Sequence, residues 1–359
     1  MRHQLFYSVA EMMAPQTLSA LLGEPVTSVS TSALLAQYSK SGSRLEQVQI
    51  NDGQGTKLIL KHVSLSSDWL MRVTNDRYCR SVTLWTHGLL DKLPSQIDHA
   101  IIACTKDKDG WAILLRDVSG MLLPNTRFSI ASNAFMLQAM ADLHATFFKS
   151  AELSKQDLGL CRLRDAYSMF SLRTGKQEIN GTDEVPIRIV EGWEMVKTAV
   201  PSDVADLILD LVNDSTPLVE ALSRYPHTLV HGDWRHANQG LQQNGHSRLI
   251  LLDWQLAVHA PPAVELGRGL GTNSVFLPVS KEEAIAIYKR QLAQQLGSRF
   301  SESWWEPQLA LALLGGFVQD GWAIALKATN WHVGADARDH WRADLAWWTE
   351  QVRAGAKWL

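Results

Sequence analysis

Three side chains in one short stretch have the types and spacing for chemistry. His231-Gly232-Asp233 follows a short apolar run (Thr228, Leu229, Val230), Asn238 stands five residues after that aspartate, and Asp253 closes a second apolar run at Arg248–Leu252. Gln239–Gln242 and Arg248–Leu252 read as two strands joined across Asn244-Gly245, a dipeptide that favours tight hairpins. In such a hairpin Asn238 lies opposite a residue near 251, so Asp253 is about two residues further along, roughly 7 Å at the backbone. Asn238 and Asp253 then converge at the open end, with Asp233 on the loop beside them. Two carboxylates and an amide oxygen at one point suit a hard cation such as Mg²⁺ that keeps water and phosphate ligands. Phosphoryl transfer needs that set: metal ligands, and a carboxylate to orient and deprotonate the attacking hydroxyl.

The flanking chain must supply the elements that hold these residues. Residues 8–23 read as an amphipathic helix ending at Gly23. Val26–Gln37, Arg44–Ile50 and Lys57–Val63 read as strands, separated by the polar segment Ser39–Ser43 and the turn cluster Asn51–Gly55. Lys57 and Lys61 share parity, so both project from one strand face. Thr74–Leu93 predicts a helix, and Trp111–Leu115 a buried strand running into Arg116-Asp117-Val118. Ala131–Lys149 and Ser202–Ser223 follow as helices, with residues 174–186 as a polar, exposed insertion. Ser280-x-x-Glu283 is a capping box opening a helix over Lys281–Gln295. Trp341, Leu345, Trp348 and Val352 fall on one face of a last helix. Strands first and helices after make an α+β chain.

Composition bounds the rest. The chain has 359 residues, 46% hydrophobic and 20% charged, enough for one large domain or two lobes. A net charge of −3 gives no basic footprint for nucleic acid and no polybasic membrane signal. Three cysteines without C-x-x-C spacing point to a reducing compartment and against structural zinc. The N-terminus, broken by Glu11, Pro15 and Gln16, makes a poor signal peptide, and no run reaches the 18 apolar residues expected of a membrane span. The expectation is a cytoplasmic protein.

The spacing H-G-D-x-x-x-x-N, followed by an apolar strand and Asp253-Trp254, resembles the aminoglycoside phosphotransferase and choline kinase superfamily, which has the protein-kinase fold. The resemblance implies two lobes, a small antiparallel-sheet N-lobe over residues 1–115 and a mainly helical C-lobe over 116–359. It makes Asp233 the catalytic base and Asn238 and Asp253 the Mg²⁺ ligands. Arg235 takes the place of a catalytic-loop lysine that clamps the transferring phosphoryl group. Lys61 matches the strand lysine that reaches the α- and β-phosphates of ATP. Ser39–Ser43, with Ser41 and Gly42, becomes the phosphate-covering loop, and Arg116 and Val118 the backbone hinge that holds adenine. Glu265 matches the acid that supports the catalytic loop, and His144 reads as a packed histidine.

One position departs from the family. The helix glutamate that pairs the strand lysine is missing, and Ser81 stands in its place; Asp68 and Asp76, earlier in the segment, are the candidate substitutes. The implied function is ATP- and Mg²⁺-dependent phosphorylation of a small-molecule hydroxyl acceptor, without nucleic-acid or membrane partners. A nucleotide-binding pseudokinase or scaffold is the alternative. Asp320, Trp322 and Trp331 read either as lobe core or as acceptor-pocket lining. Residues 1–120 carry 12 basic and 11 acidic groups, and residues 121–359 carry 22 and 26, so bulk charge does not choose the acceptor.

Overall fold

The computed structural model describes residues 3–34, 41–181, 183–242, 247–329 and 335–359; Ser39, Lys40, the expected hairpin tip Asn244-Gly245 and Trp331 lie outside them. The chain is a mixed α+β protein that divides into two compact units. The first comprises Met1–Leu122, Asp157–Gly159 and Gly240–Gln255, and the second the remainder.

In the first unit, β1 (Val29–Ala33), β2 (Arg44–Ile50), β3 (Leu58–Ser64), β5 (Ile101–Asp107) and β6 (Gly110–Arg116) form one antiparallel sheet ordered β1-β2-β3-β6-β5. Strand alternation puts Val48, Ile50, Leu58, Leu60 and Leu114 on one face, where they bury against Met12 and Leu18 of two short helices. Those helices, α1 (Val9–Met12) and α2 (Pro15–Leu22), replace the single helix expected over 8–23. Pro15 opens α2, the position where its missing N–H and fixed φ are tolerated. A second, three-stranded sheet joins β8 (Gln239–Gln242), β9 (Arg248–Leu251) and the two-residue β4 (Ile97–Asp98), with β9 in the middle.

The helix expected over Thr74–Leu93 is reduced to α4 (Arg80–Thr86) and a 3-10 turn at Leu90–Lys92, and a separate short helix, α3 (Trp69–Val73), precedes it across a break. Asn75 and Cys79 take positive φ between them, which no continuous helix allows. Arg80 explains the break. Its buried guanidinium donates to the carbonyls of Thr74, Gly159 and Gln255, tying three separated segments of this unit together.

The second unit is mainly helical. It holds α5 (Ile130–Thr146), α6 (Leu163–Ser168), α7 (Leu172–Glu178), α8 (Val185–Ala199), α9 (Ser202–Asn213), α10 (Thr216–Ser223), α11 (Ala263–Thr272), α12 (Lys281–Leu296), α13 (Glu302–Thr329) and α14 (Ala335–Ala356). The strand pair β7 (Thr228–Val230) and β10 (Val258–Ala260) lies among them. Helix α13 is apolar and long enough to cross a membrane, but 83% of its apolar window is buried against the rest of the chain, as in a core helix. Trp341, Leu345, Trp348 and Val352 of α14 are all buried, as their spacing predicts. Two expectations fail here. Part of the supposed insertion is α7, whose Thr174 and Gly175 are buried. The helix expected over 202–223 breaks at Asp214-Ser215, where Asp214 turns its carboxylate onto the N–H and hydroxyl of Thr216.

Gly42 marks a tight point of the first unit. Its φ is +102°, and a Cβ would lie 2.1 Å from the carbonyl oxygen of Ser67. Gly42→Ala should therefore lower the denaturation midpoint by more than the roughly 1–3 kcal/mol of backbone strain alone. Gly120→Ala, where a Cβ meets nothing within 4 Å, is the matched control and should leave it nearly unchanged. Equal effects of the two would refute the packing described for Gly42.

Candidate active site

The second unit contains the H-G-D loop. β7 ends at Val230, and the chain turns through Gly232, which has φ +83° and leaves no room for a Cβ: one would lie 2.2 Å from the carbonyl oxygen of Leu256. Glu265, wholly buried on α11, accepts hydrogen bonds from the N–H groups of both His231 and Gly232, the latter at 3.1 Å. Behind it His144 is fully buried, its Nδ1 bonded to the Tyr288 hydroxyl and its Nε2 3.8 Å from the Glu265 carboxylate. Glu265 and His144 thus have the structural parts that the sequence expects of them.

Asp233 is held at both oxygens. Arg268 Nη2 donates to Oδ1 at 3.1 Å and the Asn238 amide to Oδ2 at 2.8 Å. Burial alone would raise this carboxyl, but Arg268, Arg235 and His231 outweigh it and hold the group below the usual carboxylate range. The same Arg268 bonds Asp320 of α13 through Nη1 and lies 5.2 Å from the centre of the Phe170 ring. One buried guanidinium therefore bridges two carboxylates, each on a different element. Asp320 is thus committed to Arg268, and Trp322 packs against Phe170 with ring centres 5.8 Å apart.

The first unit contains Lys61 and Asp253. Lys61 sits mid-strand on β3, paired with Leu45 on one side and Ile113 on the other. Its Nζ stands 3.1 Å from Asp253 Oδ1. Burial opposes the charge on Lys61, yet attraction to Asp253 and then Asp68 outweighs it, so the ammonium is held above its ordinary range. Asp253 has φ +63°, a conformation in which non-glycine residues are strained. Asp68 caps α3 and also accepts from the Ser41 hydroxyl at 2.8 Å and from the Gln255 amide.

Ser41 and Gly42 are thereby anchored at the base of the expected phosphate loop. Ser81 is buried on α4, and neither acid acting most strongly on Lys61 comes from that helix. At the expected hinge, the Arg116 N–H donates to the carbonyl of Ala100 and its side chain bonds Asp98. The buried Val118 accepts from the Met121 N–H. Asp233, Arg235 and Asn238 belong to the second unit and Lys61, Ser41, Gly42, Arg116, Val118 and Asp253 to the first.

One residue escaped the sequence reading, Arg268 as the partner of Asp233; Asp68, a candidate substitute for the missing helix acid, is the second acid acting on Lys61. Arg268 had a signal. It lies three residues after Glu265, so the two share one helix face and meet the same loop. Among the described residues no group of three or more His, Cys, Asp or Glu side chains gathers as a metal cluster. Asp253 Oδ1 is nevertheless a buried carboxylate oxygen that faces the Lys61 ammonium at 3.1 Å, and an oxygen of that kind suits a hard cation.

No family model and no curated protein matches the sequence. Solved structures do. Choline kinase from Streptococcus pneumoniae aligns over 93% of this chain and 96% of its own, with a TM-score of 0.52 and 14% identity. Ethanolamine kinase from Plasmodium vivax aligns over 89% and 81%, with a TM-score of 0.46 and 12% identity. The fold is the kinase-like fold of that choline kinase, with a small antiparallel sheet and a mainly helical part.

The Arg268 bridge has a measurable consequence. Arg268→Met leaves two buried carboxylates without their cation and should cost about 3–5 kcal/mol in chemical denaturation. Adding Asp320→Leu removes one orphaned charge and should recover part of that loss. A single variant as stable as the parent would show that the bridge does not hold α11 to α13.

Proposed function

We propose that the chain transfers the γ-phosphoryl group of ATP to a hydroxyl group of a small molecule, with Mg²⁺ as the metal. The observation that carries this reading is the fixing of Asp233, with Glu265 holding the loop and Arg268 and Asn238 holding the carboxylate. Such a carboxylate is oriented before any substrate arrives, and positioning is most of what phosphoryl transfer asks of a protein. The acceptor oxygen forms its bond to the γ-phosphorus while the bond to the β–γ bridging oxygen breaks. ADP leaves with that electron pair, and the hydroxyl proton passes to Asp233. A carboxylate held below its usual range is a weak base, which suits a loose transition state in which the proton leaves late.

The remaining roles follow from the side chains. Lys61, kept charged by Asp253 and Asp68, is the proposed partner of the α- and β-phosphates. Asn238 and Asp253 are the proposed Mg²⁺ ligands, and the bound metal would neutralise phosphate charge. Arg235 is proposed to meet the transferring phosphoryl group, and the Ser41-Gly42 backbone to cover the phosphates. Of the two hinge residues proposed for adenine, Val118 is the better donor. Its N–H has no partner among the described residues, whereas that of Arg116 is taken. The fold shared with a choline kinase supports phosphotransfer as the class of chemistry.

Asp233→Asn should lower turnover by about 10²–10⁴-fold while ATP still stabilises the protein in a thermal shift assay. A variant that keeps most of its activity would remove Asp233 from the base role. Asp253→Ala should abolish the part of the ATP-induced shift that needs Mg²⁺. Equal Mg²⁺-dependent shifts in parent and variant would count against Asp253 as a ligand.

A further inference from the structure

A pair of histidines that the phosphotransferase reading does not use stands on the strand pair of β7 and β10. His259 of β10 lies opposite Leu229 of β7, and His227 comes two residues before Leu229. Residues two apart along a strand share a face, so both imidazoles project from one side as diagonal neighbours. Their ring centres are 4.9 Å apart and their planes meet at 88°. An imidazole bound to Zn²⁺ through a ring nitrogen has its centre about 3.2 Å from the metal, so two at a near-tetrahedral angle stand about 5 Å apart. Both residues are half-exposed, so an ion can reach this face without opening the core.

The nitrogens are in the state that a metal needs. His227 Nε2 is buried and has no hydrogen-bond partner among the described residues. The backbone of Leu222 bonds the same ring, and with Nε2 unpartnered that bond belongs to Nδ1. A carbonyl on one ring nitrogen fixes the tautomer that leaves the other lone pair free, as in metal-binding histidines generally. The His259 ring makes no hydrogen bond or ion pair among the described residues. Burial lowers the His227 imidazole against the pull of Leu222, and burial with the neighbouring His227 pushes His259 down to about 4. Both rings are therefore neutral at pH 7, the form that binds metals. No carboxylate acts on either ring. A pair of nitrogens without oxygen ligands is a poor seat for Mg²⁺ and a good one for Zn²⁺, Co²⁺ or Ni²⁺.

We propose that His227 and His259 form a two-histidine site for a borderline divalent metal, Zn²⁺ before others, with water in its remaining positions. The site does not depend on the phosphotransferase reading. A metal there joins β7, which runs straight into His231, Gly232 and Asp233, to β10, which runs into α11 with Glu265 and Arg268. It cross-links the two strands whose ends place Asp233 and the acid that holds its loop. Two protein ligands are fewer than structural and catalytic zinc sites use, so the ion is held reversibly.

The test uses the full-length chain, stripped of metal and free of nucleotide. Calorimetry should show one Zn²⁺ bound, and the melting temperature should climb as Zn²⁺ is added. Excess Mg²⁺ should not displace the ion. His227→Gln and His259→Gln should each weaken binding by at least about tenfold while melting with the parent in chelator. His87→Gln, at an exposed histidine paired with Asp157, should leave binding unchanged. Nitrogen NMR of the parent needs no variant: the ring nitrogens of His227 and His259 should shift together as Zn²⁺ is added. Should either glutamine variant melt early in chelator, those shifts decide. The inference is overturned if the parent binds no Zn²⁺, if both variants keep parental binding, if Mg²⁺ displaces the ion, or if only other histidines shift. The two rings are then an edge-to-face pair and nothing more.

Discussion

The loop that carries Asp233 in the second unit depends on one buried carboxylate. Glu265 is wholly buried and accepts from two consecutive backbone N–H groups, those of His231 and Gly232. Buried amides left without partners would each cost on the order of 1–3 kcal/mol, so the loop has one low-energy course past this side chain. That course demands positive φ at Gly232 and close approach to Leu256, which only glycine allows. The residue after this turn is Asp233. Its direction is therefore decided by α11 and β7, and Asp233 itself contributes little to it.

The same helix then supplies the charge. Glu265 and Arg268 lie one turn apart on α11, an acid for the loop backbone and a base for the loop carboxylate. Burying Arg268, Asp233 and Asp320 together is expensive, because each ion loses its water. The cost is offset only because the guanidinium is planar and has donors for both acids at once. The arrangement ties α13 to α11 and both to the H-G-D loop. A long apolar helix whose other acids, Glu302 and Glu306, stand in its first turns would otherwise have no reason to place Asp320 in its buried stretch.

How much of this was legible follows from the range of each interaction. Strands β2, β3 and β6, the capping box at Ser280 and the apolar face of α14 depend on local periodicity, and the sequence shows them within a residue or two. The H-G-D-x-x-x-x-N spacing is likewise local, and so the loop was found. Helix ends were misread where a distant partner decides them. Arg80 ends the segment before α4 by reaching residues about 80 and 175 positions away, and no window of the sequence contains those carbonyls. Arg268 was missed for a related reason: its partners are 35 and 52 residues distant, although its one-turn spacing from Glu265 was readable.

The absent helix glutamate looks different once the first unit is described by its charges. A strand lysine in this fold needs a carboxylate to stay charged and directed in a half-buried place. Lys61 has Asp253 at 3.1 Å and a second attraction from Asp68, and these more than offset burial. Asp68 is itself held by the Ser41 hydroxyl, the Met71 N–H and the Gln255 amide, so it is a fixed charge and not a wandering one. Burial raises its carboxyl, and the donors around it and Lys61 work against that rise. Ser81 is buried, and a glutamate there would have to carry its charge out of water. The acids beside Lys61 are therefore Asp253 and the cap of α3, Asp68, and neither comes from α4, where Ser81 stands. Between them these two acids keep the ammonium charged against the cost of its burial.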